Sequence, residues 1–289
     1  MKDRLIILSF IVAAVFSACT EKKNMEFPPV DNSGHTLICA DIESLLFMEG
    51  ETVWPEAAAI GVYGSEKGNN EYYTIKEASE GYSSALFYGP LVKGNLTAYY
   101  PYNPSYVGSA EAMPFYIEVS QVFDPDIDIV SNYLSYTPYA FGYLSDDKIN
   151  FVYPSGVLSL NFEGDEPVYV TDITVYSDSQ HIAGHAAFRA DGSLEMTSNS
   201  QNSVVLECGE GTPSIVNGSP TTFNVVLAPG TYTDMKLSVG FSGNDKKFIC
   251  TVPEVTIKSI TSEGFVVTSM KIATTVPDGF VEENVEFDE

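Results

Sequence analysis

Short apolar or alternating runs, each broken by Pro, Gly, Asn or Asp, recur along the chain from residue 37 onward. Runs of this length, rich in Val, Ile, Tyr and Phe, predict β-strands. In the first half they occupy residues 37–42, 57–63, 96–100, 115–119 and 139–144. In the second half they are longer and cleaner, at 157–162, 168–176, 222–227, 235–241, 247–252 and 264–270. Asp191-Gly192 and Gly243-Asn244-Asp245 fall between such runs and predict tight turns, because Gly and Asn accept the positive φ that a hairpin turn requires. No stretch carries the period of a long helix. The polar run Ser145-Asp146-Asp147-Lys148 divides the two sets of strands. The expectation is an all-β protein with two β-sandwiches in tandem, residues 35–146 and residues 147–289.

Composition supports this class. The 289 residues include 18 Tyr, 17 Phe, 22 Gly and 16 Pro, and 44% are hydrophobic against 18% charged, which excludes a disordered chain. Fourteen basic residues against 39 acidic ones leave a net charge of −25. That sign repels phosphate backbones, so nucleic acid is not expected as a partner.

The N-terminus predicts a destination. Lys2 and Arg4 precede an uncharged apolar run over residues 5–16, the layout of a secretory signal. Its 12 residues fall short of the roughly 20 that span a bilayer. Phe16-Ser17-Ala18-Cys19 resembles the lipobox of bacterial lipoproteins, which makes residues 1–18 the signal peptide and Cys19 the lipidated residue. Residues 19–34 then read as a polar linker. Cys39, Cys208 and Cys250 are widely spaced and contain no CxxC pair; they read as core cysteines, with their disulfide state open.

A search for chemistry yields no catalytic set. Gly240-Phe241-Ser242-Gly243 is one residue short of a nucleophile elbow and falls at a strand end. His181 and His185 are four apart, but Gly184 and the flanking strand pattern argue against the helix that would align them on a metal. Asp124, Asp126 and Asp128 open like a calcium loop, yet Ile129 and Ser135 stand where the loop needs Gly and Glu. No enzyme activity, metal or cofactor is therefore predicted. Two segments stand out as candidate binding elements. Tyr99, Tyr100, Tyr102 and Tyr106, threaded through Pro101 and Pro104, could stack on a sugar or pack in the core. Residues 278–289 hold six acids and no base, interleaved with Phe280, Val281, Val285 and Phe287, a pattern that suits either a tail or an interacting strand.

Several segments together resemble one family, the fimbrillins of type V pili. Ala59-Ile60-Gly61-Val62-Tyr63 is similar to the family's early IGV-aromatic strand, and Leu96-Thr97-Ala98-Tyr99-Tyr100-Pro101-Tyr102 to its AYYPY signature. Asn150 to Leu160 resembles its F-x-H-x-x-S-x-L segment, with Tyr153 in place of the usual His, and Val226-Leu227-Ala228-Pro229-Gly230-Thr231-Tyr232 resembles its late LAPGTY turn. The resemblance implies two transthyretin-like Greek-key sandwiches, export as an outer-membrane lipoprotein to the cell surface, and assembly with other fimbrial subunits by β-strand donation. It also implies a surface ligand of host or bacterial origin for an adhesive subunit. On that reading the exchanging strands are Leu37, Ile38, Ala40 and Ile42 at one end and Phe280, Val281, Val285 and Phe287 at the other. Between Cys19 and Trp54 there is no Arg, so removal of the first strand by an Arg-specific protease is not supported. A monomeric glycan-binding surface lipoprotein, with the Tyr99 to Tyr106 cluster as its platform, is the alternative.

Overall fold

The computed structural model describes residues 36–42, 54–55, 57–76, 84–145, 148–164, 167–216, 218–243, 247–252, 254–259, 267–273 and 281–282. Its first strands are β1 (Thr36–Ile42), β2 (Ala59–Gly64), β3 (Glu71–Ile75), β4 (Ser84–Gly89) and β5 (Leu96–Tyr100). There follow β6 (Ala112–Ile117), β7 (Ser120–Val122), the helix α1 (Ile129–Tyr136), β8 (Ala140–Ser145) and β9 (Lys148–Val152). The all-β class expected from the strand pattern is what the chain adopts.

Seven of these strands close into a barrel in the order β1-β4-β3-β2-β5-β8-β9. The seam is β1, antiparallel to β4 on one side and parallel to β9 on the other. Alternation does the sorting: Ile38, Ala40 and Ile42 are buried while Cys39 and Asp41 between them are only half so. β9 repeats the pattern with Ile149 and Phe151 buried. Trp54, the chain's single tryptophan, plugs the interior, with its ring edge-on to Phe87, Tyr100 and Phe151 at 4.9, 5.2 and 5.5 Å. Edge-to-face packing of this kind adds about 0.5–1.5 kcal/mol per pair beyond area burial.

The second half contributes β10 (Gly156–Glu163), β11 (Tyr169–Ser177), β12 (Ala183–Arg189), β13 (Leu194–Gln201), β14 (Ser203–Pro213), β15 (Ile215–Val216) and β16 (Ser219–Leu227). It ends with β17 (Gly230–Tyr232), β18 (Met235–Phe241), β19 (Lys247–Thr251), β20 (Val255–Ile257), β21 (Val267–Ala273) and β22 (Val281–Glu282). A four-stranded sheet, β15-β16-β10-β21, and a six-stranded sheet, β22-β19-β18-β11-β14-β7, send Leu158, Leu160, Phe223 and Val225 from the first, and Ile173, Val175, Leu206 and Leu237 from the second, into one core. The Asp191-Gly192 turn forms, and Asn244 and Asp245 lie outside the described residues. Gly192 lies between β12 and β13 at φ +83°, and the Asp191 carboxylate accepts the Ser193 N–H at 2.9 Å; Gly243, at φ +78°, follows β18.

Two features depart from the expected organisation. Ser145, the last residue of β8, pairs with Lys148, the first of β9, so both ends of the polar run lie in the barrel sheet. A polar break signals a solvated turn, and it reads alike whether it joins two domains or two strands of one sheet. Residues 112–122, expected wholly within the first sandwich, pair instead with second-half strands. β6 runs antiparallel to β12, and β7 is the parallel edge partner of β14. Gln121 fastens this crossing. Fully buried, it donates from Nε2 to Val226 O at 2.8 Å and accepts the Val226 N–H on Oε1 at 3.0 Å, so its amide stands in for one more strand pairing.

Candidate functional site

Two places bring predicted site residues together: the β1 seam and an aromatic region beside the barrel. At the seam, β1 pairs with β4 from Thr36↔Gly89 to Asp41↔Ser84 and with β9 from Cys39↔Lys148 to Ile42↔Phe151. Lys148 Nζ reaches Asp41 Oδ2 at 2.9 Å across the parallel side, a partly exposed ion pair that fixes register more than it adds stability. Of the four named residues of this strand, Ile38, Ala40 and Ile42 face the core and Leu37 is half-buried. Burying each of the two isoleucines contributes about 1.5–3 kcal/mol. At the other end of the chain Val281 lies in β22 and pairs with Ile249 at the margin of the six-stranded sheet. Cys19, Phe280, Val285 and Phe287 lie outside the described residues.

The tyrosine segment does not form one surface. Tyr99 is fully buried, because β5 turns it toward β2, where Gly61 has no Cβ; a Cβ there would stand 2.1 Å from the Tyr99 ring. Its hydroxyl lies 2.7 Å from Asn70 Oδ1 and 2.6 Å from Asn103 O, and accepts the Asn103 N–H at 3.1 Å. Burial pushes its phenol up to about 12. Asn70 holds a positive φ of 53°, which asparagine tolerates, and donates to Asn103 O and Tyr106 O at 3.1 and 3.2 Å. Tyr100 packs against Trp54, and Tyr102 lies edge-on to the exposed Tyr72 at 4.9 Å. A sugar platform of all four rings is thus corrected: the alternation of the strand spends Tyr99 and Tyr100 on packing.

Tyr106 alone reaches a pocket. It stacks on Tyr99 at 4.3 Å and donates its hydroxyl to Pro114 O at 2.6 Å; burial and the neighbouring phenols Tyr63, Tyr99 and Tyr139 push its pKa far up. The pocket, about 220 Å³, is lined by Tyr106 and Pro114 to Tyr116 on one wall and by Ser135 to Tyr139 and Phe141 on the other, with Glu118 among them. Helix α1 supplies the second wall. Asp128 caps it, accepting the Val130 and Ser131 N–H groups at 3.0 Å, and these bonds with the Ser131 hydroxyl hold its carboxyl below the usual range. The acidic run thus starts a helix, and the Asx turn in which Asp124 Oδ1 accepts the Asp126 N–H at 2.9 Å precedes it. Sequence reasoning missed α1 and hence the pocket. The available signal was an Asp directly before residues 129–136.

The remaining candidates do not converge. His181 bonds to Ser200, and His185 meets Tyr116 edge-on at 4.9 Å between ring centroids. Among the described residues no group of three or more His, Cys, Asp or Glu side chains is placed to hold a metal. Cys208 and Cys250 are free thiols, and burial pushes Cys208 up to about 12, away from thiolate chemistry. Ser242 donates its N–H to Tyr169 O at 2.8 Å as the end of a strand pairing.

No protein-family model matches the chain, and no curated protein is detectably similar to it in sequence. Solved structures are similar to it at low identity. One from Bacteroides ovatus, described as a "putative cell adhesion protein", is 15% identical over 86% of this chain and 95% of its own, with a TM-score of 0.48. A second so described, from Bacteroides uniformis, is 16% identical over 87% of this chain and 96% of its own, with a TM-score of 0.44. The C-terminally truncated tip fimbrial protein Mfa3 of Porphyromonas gingivalis is 9% identical over 75% of this chain and 81% of its own, with a TM-score of 0.35.

Proposed function

We propose that the chain is a structural or adhesive fimbrial subunit of the fimbrillin type, carried to the outer membrane as a lipoprotein on Cys19 and assembled with other subunits by β-strand donation. The observation that carries this reading is the place of β1, which supplies Ile38, Ala40 and Ile42 to the core and is held by ladders on both sides. Take such a strand out and the barrel has an apolar groove flanked by unpaired N–H and C=O groups of β4 and β9, and a strand of matching alternation from a neighbour satisfies both. Among the described residues β22 lies at the margin of its sheet and pairs with β19 alone, so a terminal segment that leaves gives up two register pairs. The resemblance of the strand and turn motifs to fimbrillins supports the same reading.

The test is the state of the protein recovered from the cell surface. Assembly by strand donation predicts species larger than the monomer, and peptide mass spectrometry of those species should find them beginning after Ile42. Monomer alone, beginning at an acylated Cys19 and binding glycans, would overturn the reading in favour of a monomeric surface lipoprotein.

A further inference from the structure

The pocket between β6 and α1 is not used by strand donation, and its chemistry points to a small ligand. We infer that it binds the ammonium head of a small organic cation, with Tyr106, Tyr116, Tyr136 and Tyr139 as its aromatic walls and Glu118 as its counter-charge.

Three observations carry this. The first is the rigidity of the walls. Tyr136 donates its hydroxyl to Val122 O at 3.0 Å and accepts the Val122 N–H at 2.6 Å, Tyr106 donates to Pro114 O, and Tyr139 accepts from Asn103 Nδ2 at 2.9 Å. These three rings are held at their hydroxyl ends, while Tyr116 is the exposed one. Tyr106 and Tyr139 sit 5.3 Å apart, and Phe115 and Phe141 back the wall at 5.2 Å from each other. Rings fixed in this way cost little entropy when a ligand enters.

The second is the shortage of donors. Ser135 Oγ is spent on Asn132 O at 2.6 Å, and Thr137 Oγ1 lies 2.7 Å from Ser155 Oγ. Among the described residues no Lys, Arg or His lines the pocket. A sugar ring needs several donors and acceptors around its hydroxyls, and this lining is mostly aromatic side chains and prolines. The electron-rich face of a tyrosine attracts a cation instead.

The third is charge. Glu118 is exposed at the mouth, and among the described residues its carboxylate has neither an ion-pair nor a hydrogen-bond partner. The chain as a whole carries −25, which raises the local concentration of cations. A pocket of about 220 Å³ admits one ammonium head with its short tail. Aromatic walls with a single carboxylate are the arrangement that recognises an alkylated or free ammonium group.

The experiment is calorimetric titration of the full chain with choline, with n-butylammonium and with the neutral sugar N-acetylglucosamine. At least one of the two ammonium ions should bind saturably, and Glu118→Gln should weaken that binding by about tenfold. Tyr116→Ala, at a ring already 36% exposed, should weaken it without unfolding the protein, as far-ultraviolet circular dichroism would verify. Absence of saturable binding by both cations, an unchanged affinity in Glu118→Gln, or tighter binding of the sugar than of either cation would overturn the inference.

Discussion

The two ends of the described chain are held in opposite ways. β1 is gripped from both sides, over six register pairs with β4 and four with β9, and delivers three side chains to the core. Among the described residues β22 pairs with one neighbour, through Phe248↔Glu282 and Ile249↔Val281. The difference lies in what departure leaves behind. Loss of β1 strips apolar side chains from water-free surroundings and opens two edges at once, whereas loss of β22 exposes one edge of a sheet that is already open there. Under strand donation these are complementary properties, a strand whose absence creates a binding groove and a strand that can leave cheaply.

The largest expected effect comes from attacking the gripped end. Ile38→Asp places a carboxylate in the barrel core with no partner, and should destabilise the protein by more than about 4 kcal/mol or prevent folding. Chemical denaturation followed by Trp54 fluorescence reads it directly, because the ring sits in the same core. A loss under about 1 kcal/mol would mean that β1 does not hold the barrel shut. Gln121→Leu should follow at about 1–3 kcal/mol, since it strands the buried N–H and C=O of Val226, and it sharpens the comparison by loosening the crossing between halves while leaving β1 untouched. Lys148→Ala removes a partly exposed ion pair at the seam and should change stability by less than about 1 kcal/mol, less still in high salt. A large effect would make the seam electrostatic instead of hydrophobic.

Much of this was legible in the residues and some of it could not have been. The alternation at 37–42 marks β1, its buried face and even the half-exposed Asp41, because a period of two is a local property. Which strands become its neighbours is not local, so the closure of the first sheet and the pairing of β6 with β12 lay beyond pattern reading. The Ser145 to Lys148 break and the Asp124 to Asp128 run show a related limit: both announce solvated, polar chain, and only the fold pairs Ser145 with Lys148 across two strands and makes Asp128 a helix cap. The tyrosine segment was conspicuous in sequence, yet its four rings divide between core and surface. The pocket draws on the loop after β5, on β6, on α1 and on β8, and of its lining only Tyr106 stood out beforehand.

The smallest effect on folding should come from the lightly held end, and it bears most directly on assembly. Deleting residues 278–289 removes β22, whose two register pairs lie at the margin of the six-stranded sheet. An edge strand so short contributes little to its sheet, and the deletion also removes six acidic residues from a chain that already repels itself at −25. The midpoint of denaturation should therefore shift little, while polymer formation at the cell surface should fall sharply. Both readouts are needed. If the truncated chain folds and polymerises like the full one, the terminal segment has no part in donation, and Phe280, Val281, Val285 and Phe287 leave the scheme. If it fails to fold, the segment belongs to the gripped class with β1, and the contrast between the two ends disappears.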